Sequence, residues 1–327
     1  MKILITGSAG FIGYHLVKKL IRKRIYVTGV DSLNNYYDLK LKKDRLKDIN
    51  KIKSKYYKFF KLDISNKKKL STLFKKSKFD VVINLAAQAG VRYSIINPEA
   101  YLKNNLVGFF NILEMSKLYK IKHLLSASSS SVYGNAKKLP LEERFNTSFP
   151  IQFYAATKKS NEVMAHSYSY LFKIPITMLR FFTVYGPFGR PDMAPFLFTK
   201  KIYENKTIQV FNKGNHSRDF TYIDDIIHGI ELAIKNIPRN FKNLNAPYRI
   251  LNLGRGKKIK LMYFIKEIEK NLNQKAKIKY LKIQKGDIKD TLSSIKKIKT
   301  ELSYKPKTSI QTGLKIFIDW FKDYYKK

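Results

Sequence analysis

The chain has 327 residues, 44% of them hydrophobic and 14% aromatic, which is enough apolar material for a packed interior in one or two domains and excludes intrinsic disorder. It contains no cysteine, so disulfides, thiolate metal sites and a thiol nucleophile are excluded, and a reducing cytoplasm is the expected location. The formal net charge is +41, yet only 11 of the 65 basic residues are arginine and the lysines are scattered along the whole chain. That scatter reads as compositional drift, so salt-sensitive attraction to polyanions is expected and a specific nucleic-acid partner is not.

Met1-Lys2 precedes only four residues before Gly7, too few for the apolar core of an export signal. Lysines interrupt every apolar segment, so no membrane span is expected. From there, β-branched runs at residues 2–6, 26–31, 57–62, 81–85 and 123–127 alternate with helical spacing at 11–24, 66–75 and 99–119. Such a βαβ succession predicts parallel strands with right-handed crossovers, hence a doubly wound α/β sheet. A long helix over 154–172 and a strand over 175–182 extend it. The lysine-rich stretch 40–55 reads as a solvated surface. Beyond Thr183 the texture changes, with loops rich in Pro, Gly and Asn at 185–195 and 212–217 that predict a smaller lobe. A helix near 224–235 and a strand near 248–253 are expected to return to the first lobe. The expected domains are therefore 1–182 and 183–327, interleaved.

Between the first strand and first helix lies Thr6-Gly7-Ser8-Ala9-Gly10-Phe11-Ile12-Gly13, with glycines three apart. The same pattern serves any tight strand-to-helix turn. At a first strand, however, it lets the backbone approach a pyrophosphate that the helix N-terminus faces. Asp31 ends the second strand, eighteen residues after Gly13, where a carboxylate accepts both adenosine ribose hydroxyls and repels the extra phosphate of NADP. NAD is the expected cofactor. Asp63-Ile64 ends the third strand, and Leu85-Ala86-Ala87-Gln88 the fourth, where small residues let the cofactor lie flat. Asn105 is a further candidate contact.

Tyr154 and Lys158 stand four residues apart, on one face of the long helix. The ammonium favours the phenolate, so Tyr154 is the candidate acid and base. Upstream, Ser126-Ala127-Ser128-Ser129-Ser130-Ser131-Val132-Tyr133-Gly134 follows the fifth strand at the carboxyl edge of the sheet, where ligands bind in such folds. His15, His123, His166, His216 and His228 have no ligand spacing with carboxylates, and no metal is expected.

Together these motifs resemble the extended short-chain dehydrogenase/reductase family, whose fold is a Rossmann-type doubly wound parallel sheet with a smaller interleaved C-terminal substrate lobe. The resemblance implies a catalytic triad of Ser129, Tyr154 and Lys158, with Tyr154 and Lys158 also touching NAD, and places Ser130 and Ser131 near the substrate. It covers nearly the whole chain and is closest to the UDP-glucuronate 4-epimerase branch, through Asp31-Ser32-Leu33-Asn34-Asn35-Tyr36-Tyr37-Asp38, residues 86–94 (AAQAGVRYS) and residues 180–194 (RFFTVYGPFGRPDMA). Within the last stretch, Thr183 and Arg190 resemble contacts near a substrate carboxylate. Arg218, in Arg218-Asp219-Phe220-Thr221-Tyr222, resembles a residue that pairs with the uridine-diphosphate phosphate, and Asp287 falls in a matching segment, Gly286-Asp287-Ile288-Lys289-Asp290-Thr291. The following Leu292-Ser293-Ser294 departs from the family's alanine-aspartate ending, which puts nucleotide anchoring there in doubt.

The resemblance implies transient oxidation at C4 of a UDP-sugar, turnover of the 4-keto sugar in the pocket and return of hydride to its other face, in a homodimer. UDP-glucose and UDP-N-acetylglucosamine 4-epimerases and UDP-glucuronate decarboxylase stay open within the same fold. A 4,6-dehydratase fits less well, because Ser130-Ser131-Val132 occupies the place of an aspartate-glutamate pair. A noncatalytic NAD- or polyanion-binding protein is the reading from another class.

Overall fold

A computed structural model of the chain describes residues 1–240, 245–283 and 287–326. Gly286 of the C-terminal motif lies outside the described residues. In chain order the elements are β1 (Lys2–Thr6), α1 (Phe11–Arg22), β2 (Tyr26–Asp31), α2 (Leu39–Asn50), β3 (Tyr57–Lys61), α3 (Lys67–Ser77), β4 (Val81–Asn84), α4 (Tyr93–Ile96), α5 (Pro98–Tyr101), α6 (Gly108–Leu118), β5 (His123–Ser129), α7 (Phe153–Phe172) and β6 (Ile176–Phe181). There follow β7 (Thr183–Tyr185), α8 (Ala194–Tyr203), β8 (Ile208–Phe211), β9 (Ser217–Arg218), β10 (Phe220–Tyr222), α9 (Ile223–Lys235), β11 (Tyr248–Leu253), β12 (Ile259–Lys260), α10 (Leu261–Leu272), β13 (Ile278–Leu281), α11 (Lys296–Leu302) and α12 (Ile310–Tyr324).

One unit comprises Met1–Gly134, Phe145–Phe181 and Ile227–Leu251. Its strands form a seven-stranded parallel sheet in the order β11-β6-β5-β4-β1-β2-β3. This is the doubly wound arrangement, and its strand order reverses between β1 and β4. Strands β1, β4 and β5 are buried along almost their whole length, as a sheet covered on both faces requires. Leu4, Val82, Leu124, Ile176 and Met178 pack on one face with Leu70 and Phe74 of α3 and Phe109 and Ile112 of α6. At the carboxyl edge the register aligns Thr6, Asn84 and Ser126, and a buried ladder follows: Thr6 Oγ1 donates to Asn84 Oδ1 (2.6 Å) and Asn84 Nδ2 to Ser126 Oγ (3.2 Å).

Two expectations need correction. The stretch 40–55 is not a solvated surface throughout, because α2 occupies its first part and buries Leu41, Lys42, Arg45 and Ile49. Its cations found acceptors and aromatic faces inside, which charge counting does not foresee. The helix expected over 99–119 is broken by a π-helical turn at Leu102–Val107. That wider turn frees the Asn105 carbonyl to accept from Asn161 Nδ2 at 2.7 Å.

The other unit comprises Asn135–Arg144, Phe182–Ile226 and Asn252–Lys327. It holds three two-stranded pairings, β7 with β10, β8 with β13 and β9 with β12. Phe220 stacks on Phe264 of α10 at 4.1 Å, and Phe196 of α8 packs among Phe317, Trp320 and Phe321 of α12. Among the described residues no helix is long and apolar enough to cross a membrane.

Candidate active site

The glycine loop is shaped by its own close contacts. Gly7 has φ +70°, and a Cβ there would stand 2.8 Å from Ala86 N, so the loop runs directly against the end of β4. A Cβ on Gly13 would stand 2.2 Å from Gly7 O, so α1 starts hard against the loop. Asp38 caps α2 and Asn66 caps α3, whereas no side chain caps α1 at Gly10 and no acidic residue lies in its first turn. The α1 terminus therefore directs its positive end at a place where an anion fits. Phe11 is buried behind it with Gly13, and Ile12 is half-buried.

Asp31 is buried, and its two oxygens accept from Ala9 N (3.1 Å) and Leu33 N (2.8 Å), tying the glycine loop to the segment after β2. Lone pairs remain on both oxygens for ribose hydroxyls. Beyond it opens a cavity of about 720 Å³ whose walls include Ser32, Asn34, Asn35, Asp63, Gln88 and Asn104. Ile64 is buried, and Leu85, Ala86 and Ala87 stay half-buried after β4. Asp63 Oδ1 accepts from Ser65 N at 2.9 Å, and Lys103 stands 3.7 Å from its other oxygen. A polar cavity that begins at Ser32, next in the chain to the buried Asp31 carboxylate, together with the uncapped end of α1, offers the donors and acceptors a dinucleotide needs.

Asn105 has a different geometry from a simple ligand contact. Its Nδ2 donates to Gln88 O and Thr157 Oγ1 (3.0 Å each), and its Oδ1 accepts from Gln88 N at 2.8 Å. It clamps the segment after β4 to α7. Sequence reasoning also missed Arg45, which is fully buried and donates to Ala9 O (2.9 Å) and Tyr37 Oη (2.7 Å) from beneath the glycine loop. Its only signal was an arginine inside a run of lysines.

On α7, Tyr154 lies with its ring 6.1 Å from that of Tyr101, whose hydroxyl donates to Ala89 O at 3.0 Å. Lys158 is buried, its Nζ donates to Ala127 O at 2.9 Å, and burial pushes its pKa down to about 8. Thr157 Oγ1 donates to Tyr154 O at 2.8 Å. The serine run continues β5 into a short 3₁₀ turn, Ser130–Tyr133, where Ser129 Oγ accepts from Ser131 N and donates to Ser131 Oγ, both at 3.2 Å. Ser129 is buried, and Ser130 and Ser131 are half-buried. An ammonium fixed on the strand that carries the serines, one turn from a phenol, is equipped to move a proton at a substrate hydroxyl.

In the second unit Thr183 is half-buried and its N–H donates to Asp219 O at 3.2 Å. Arg190 forks onto Asp192 through Nε and Nη2. Arg218 Nη1 donates to Ser217 O (2.9 Å) and Lys289 O (2.8 Å), and the carboxylates of Asp287 and Asp290 oppose the lowering of its pKa by burial. The divergent Ser293 has a defined use: it donates to Asp219 Oδ2, a fully buried carboxylate that also accepts from Arg255 N and Gly256 N. This anchors the turn after Gly254 next to Arg218 from within the unit.

Comparison with known proteins gives a match over residues 4–317 to the family model described as GDP-mannose 4,6 dehydratase. Protein CapI of Staphylococcus aureus is 48% identical over the full length of both chains. The UDP-glucuronate 4-epimerase of Thermodesulfobacterium geofontis is 42% identical, over 98% of this chain and 96% of that one. Among solved structures, UDP-glucuronic acid 4-epimerase from Bacillus cereus, in complex with UDP-glucuronic acid and NAD, superposes with a TM-score of 0.90 at 35% identity, covering 99% of this chain and 100% of the other.

Proposed function

Since the chain belongs to the extended short-chain dehydrogenase/reductase family that this family model describes, we propose that it is an NAD-dependent 4-epimerase of UDP-glucuronate, giving UDP-galacturonate. The observation that carries the reading is full-length similarity to UDP-glucuronate 4-epimerases in a chain with Ser129 on β5 and Tyr154 and Lys158 on α7. Dehydration of the sugar fits less well, since Ser130-Ser131-Val132 supplies no acidic pair beside Tyr133.

Gly7, Gly10 and Gly13 with the open end of α1 hold the pyrophosphate. Asp31 takes the ribose hydroxyls, and Asp63, Ile64 and residues 85–88 border the adenosine end. NAD held there would supply the hydride acceptor and donor for C4. Tyr154 takes the proton of the 4-hydroxyl as the C4 carbon is oxidised and gives it back when the opposite face is reduced. Ser129 holds the reacting oxygen, while the Lys158 charge favours the phenolate. Asn105 supports this group through Gln88 and Thr157. The second unit is the sugar-nucleotide lobe, with Arg218 toward the diphosphate, Asp287 a further substrate contact whose carboxylate supports the Arg218 charge, and Thr183 and Arg190 toward the uronate carboxylate.

The protein acts in the cytoplasm as a homodimer. Phe110 and Leu118 of α6 and Val163, Leu171 and Phe172 of α7 are exposed apolar side chains on adjacent helices, the kind of face a second copy covers. The test is to offer the purified protein UDP-glucuronate and UDP-glucose separately and to resolve the products by NMR. Formation of UDP-galacturonate at a rate well above that of UDP-galactose is expected, and the reverse order overturns the assignment.

A further inference from the structure

The geometry points to the buried ion pair Glu162–Arg180 as a positioning device that holds both ends of the catalytic serine loop. This rests on the reading of Ser129 as a catalytic residue.

Glu162 lies one helical turn beyond Lys158 on α7, and Arg180 stands beside Ser128 in the register of β5 with β6. Arg180 Nε and Nη2 donate to Glu162 Oε1 and Oε2 at 2.8 Å each, a two-pronged pair with both side chains only 1% exposed. Ser128 Oγ donates to Glu162 Oε1 at 2.6 Å, which fixes the start of the loop. At the loop's other end the Arg180 guanidinium lies 4.7 Å from the centre of the Tyr133 ring. From β11, Tyr248 Oη donates to the Glu162 carbonyl at 2.9 Å. Between the two tied ends stand Ser129, Ser130 and Ser131. Just before the first, Ala127 O receives the Lys158 ammonium.

Stability alone is a weak reason for such a pair. Stripping water from two charges offsets most of their attraction, and apolar residues of similar volume are often as stable or more so. Two apolar side chains, however, would offer no acceptor to Ser128 and no cation to the Tyr133 ring. What the ion pair adds is direction. Glu162 fixes where Ser128 points, Arg180 fixes where Tyr133 rests, and the serines between them inherit both constraints. Glu162 and Arg180 touch neither substrate nor cofactor in this role; they act through Ser129.

The distinguishing experiment uses two variants of the full chain, Ser128→Ala, which keeps the ion pair but cuts the tie, and Glu162→Met with Arg180→Met, which replaces it by apolar volume. Each is compared with the parent for melting temperature, NAD retained on purification, and kcat and KM for UDP-glucuronate. Both are expected to fold and keep NAD, with kcat lowered ~10- to 100-fold and KM little changed, as small misplacements of a catalytic group do. Ser128→Ala with parental kcat overturns the proposal, even if the double variant does not fold. A crystal structure of Ser128→Ala in which residues 129–133 keep their places overturns it whatever the substrate. Inactivity of the parent protein on every UDP-sugar, by contrast, would count against the function proposed above.

Discussion

Arg180 in the first unit is sealed in a two-pronged pair with Glu162, whereas Arg190 in the second unit pairs with Asp192, two residues away, and leaves 21% of its side chain exposed. Breaking the first arrangement strands a buried charge, at about 3 to 5 kcal/mol. The second is a local, part-exposed pair of the kind worth about 0 to 1 kcal/mol. The two arginines contrast a sealed pair with a part-exposed one. On the function proposed above, the charge that holds a reacting group still is buried and saturated, and the charge assigned to the uronate stays partly in water.

The contrast can be broken most severely at Tyr154, the proposed proton-transfer group. Tyr154→Phe removes one oxygen from the rigid half and should lower kcat by ~10²- to 10⁴-fold while NAD and UDP-sugar still bind, measured by steady-state rates beside calorimetric titration. Near-normal turnover in that variant would place the proton transfer elsewhere.

On the part-exposed side, Thr183→Val or Arg190→Ala should reduce the preference for UDP-glucuronate over UDP-glucose by ~10- to 150-fold, the value of a charge-assisted bond of ~1.5 to 3 kcal/mol. The 4-keto uronate is a β-keto acid that loses carbon dioxide when its carboxylate turns perpendicular to the carbonyl, so these variants should also release some pentose nucleotide. Unchanged ratios of kcat/KM in both, with no pentose product, would leave these residues as loop formers only.

A smaller change is expected at Asp31, which ties the glycine loop and is assigned the ribose hydroxyls in the proposed function. Asp31→Ala should weaken NAD binding by ~1 to 3 kcal/mol, read by titration, and lessen the preference over NADP. The smallest effect near neutral pH is that of Lys158. Burial lowers its pKa to about 8, so the ammonium is present below that pH and is lost as pH rises through it. If the charge assists Tyr154, kcat falls to roughly half near pH 8 and continues down above it. A flat alkaline profile up to pH 10 would show that the charge is not needed.

Periodicity located the elements that carry the site because strands covered on both faces and helices with one buried stripe leave strong marks. The runs at 2–6, 26–31 and 81–85 needed almost no adjustment against β1, β2 and β4. It failed where polar groups are buried. Lys42 lies under the segment after β2, with Nζ donating to Asn34 O at 2.7 Å and standing over the Tyr37 ring, so α2 looked like surface when only composition was weighed. The π turn at Leu102–Val107 likewise has no periodic signature, since it is selected by the partners of Asn105.

Local chemistry therefore sufficed to mark the glycine loop, the carboxylate at the end of β2 and the Tyr154/Lys158 spacing as candidates, because each is a pattern read within one turn, strand or helix. Tertiary structure alone decided which polar groups meet across the sheet. Ser128 and Glu162 are 34 residues apart in sequence, and Arg180 reaches Glu162 from the next strand, through a register set by main-chain pairing. A single sequence has no term for that pairing. A buried carboxylate is stable only when donors converge on it from several elements at once, and convergence is a property of the folded sheet.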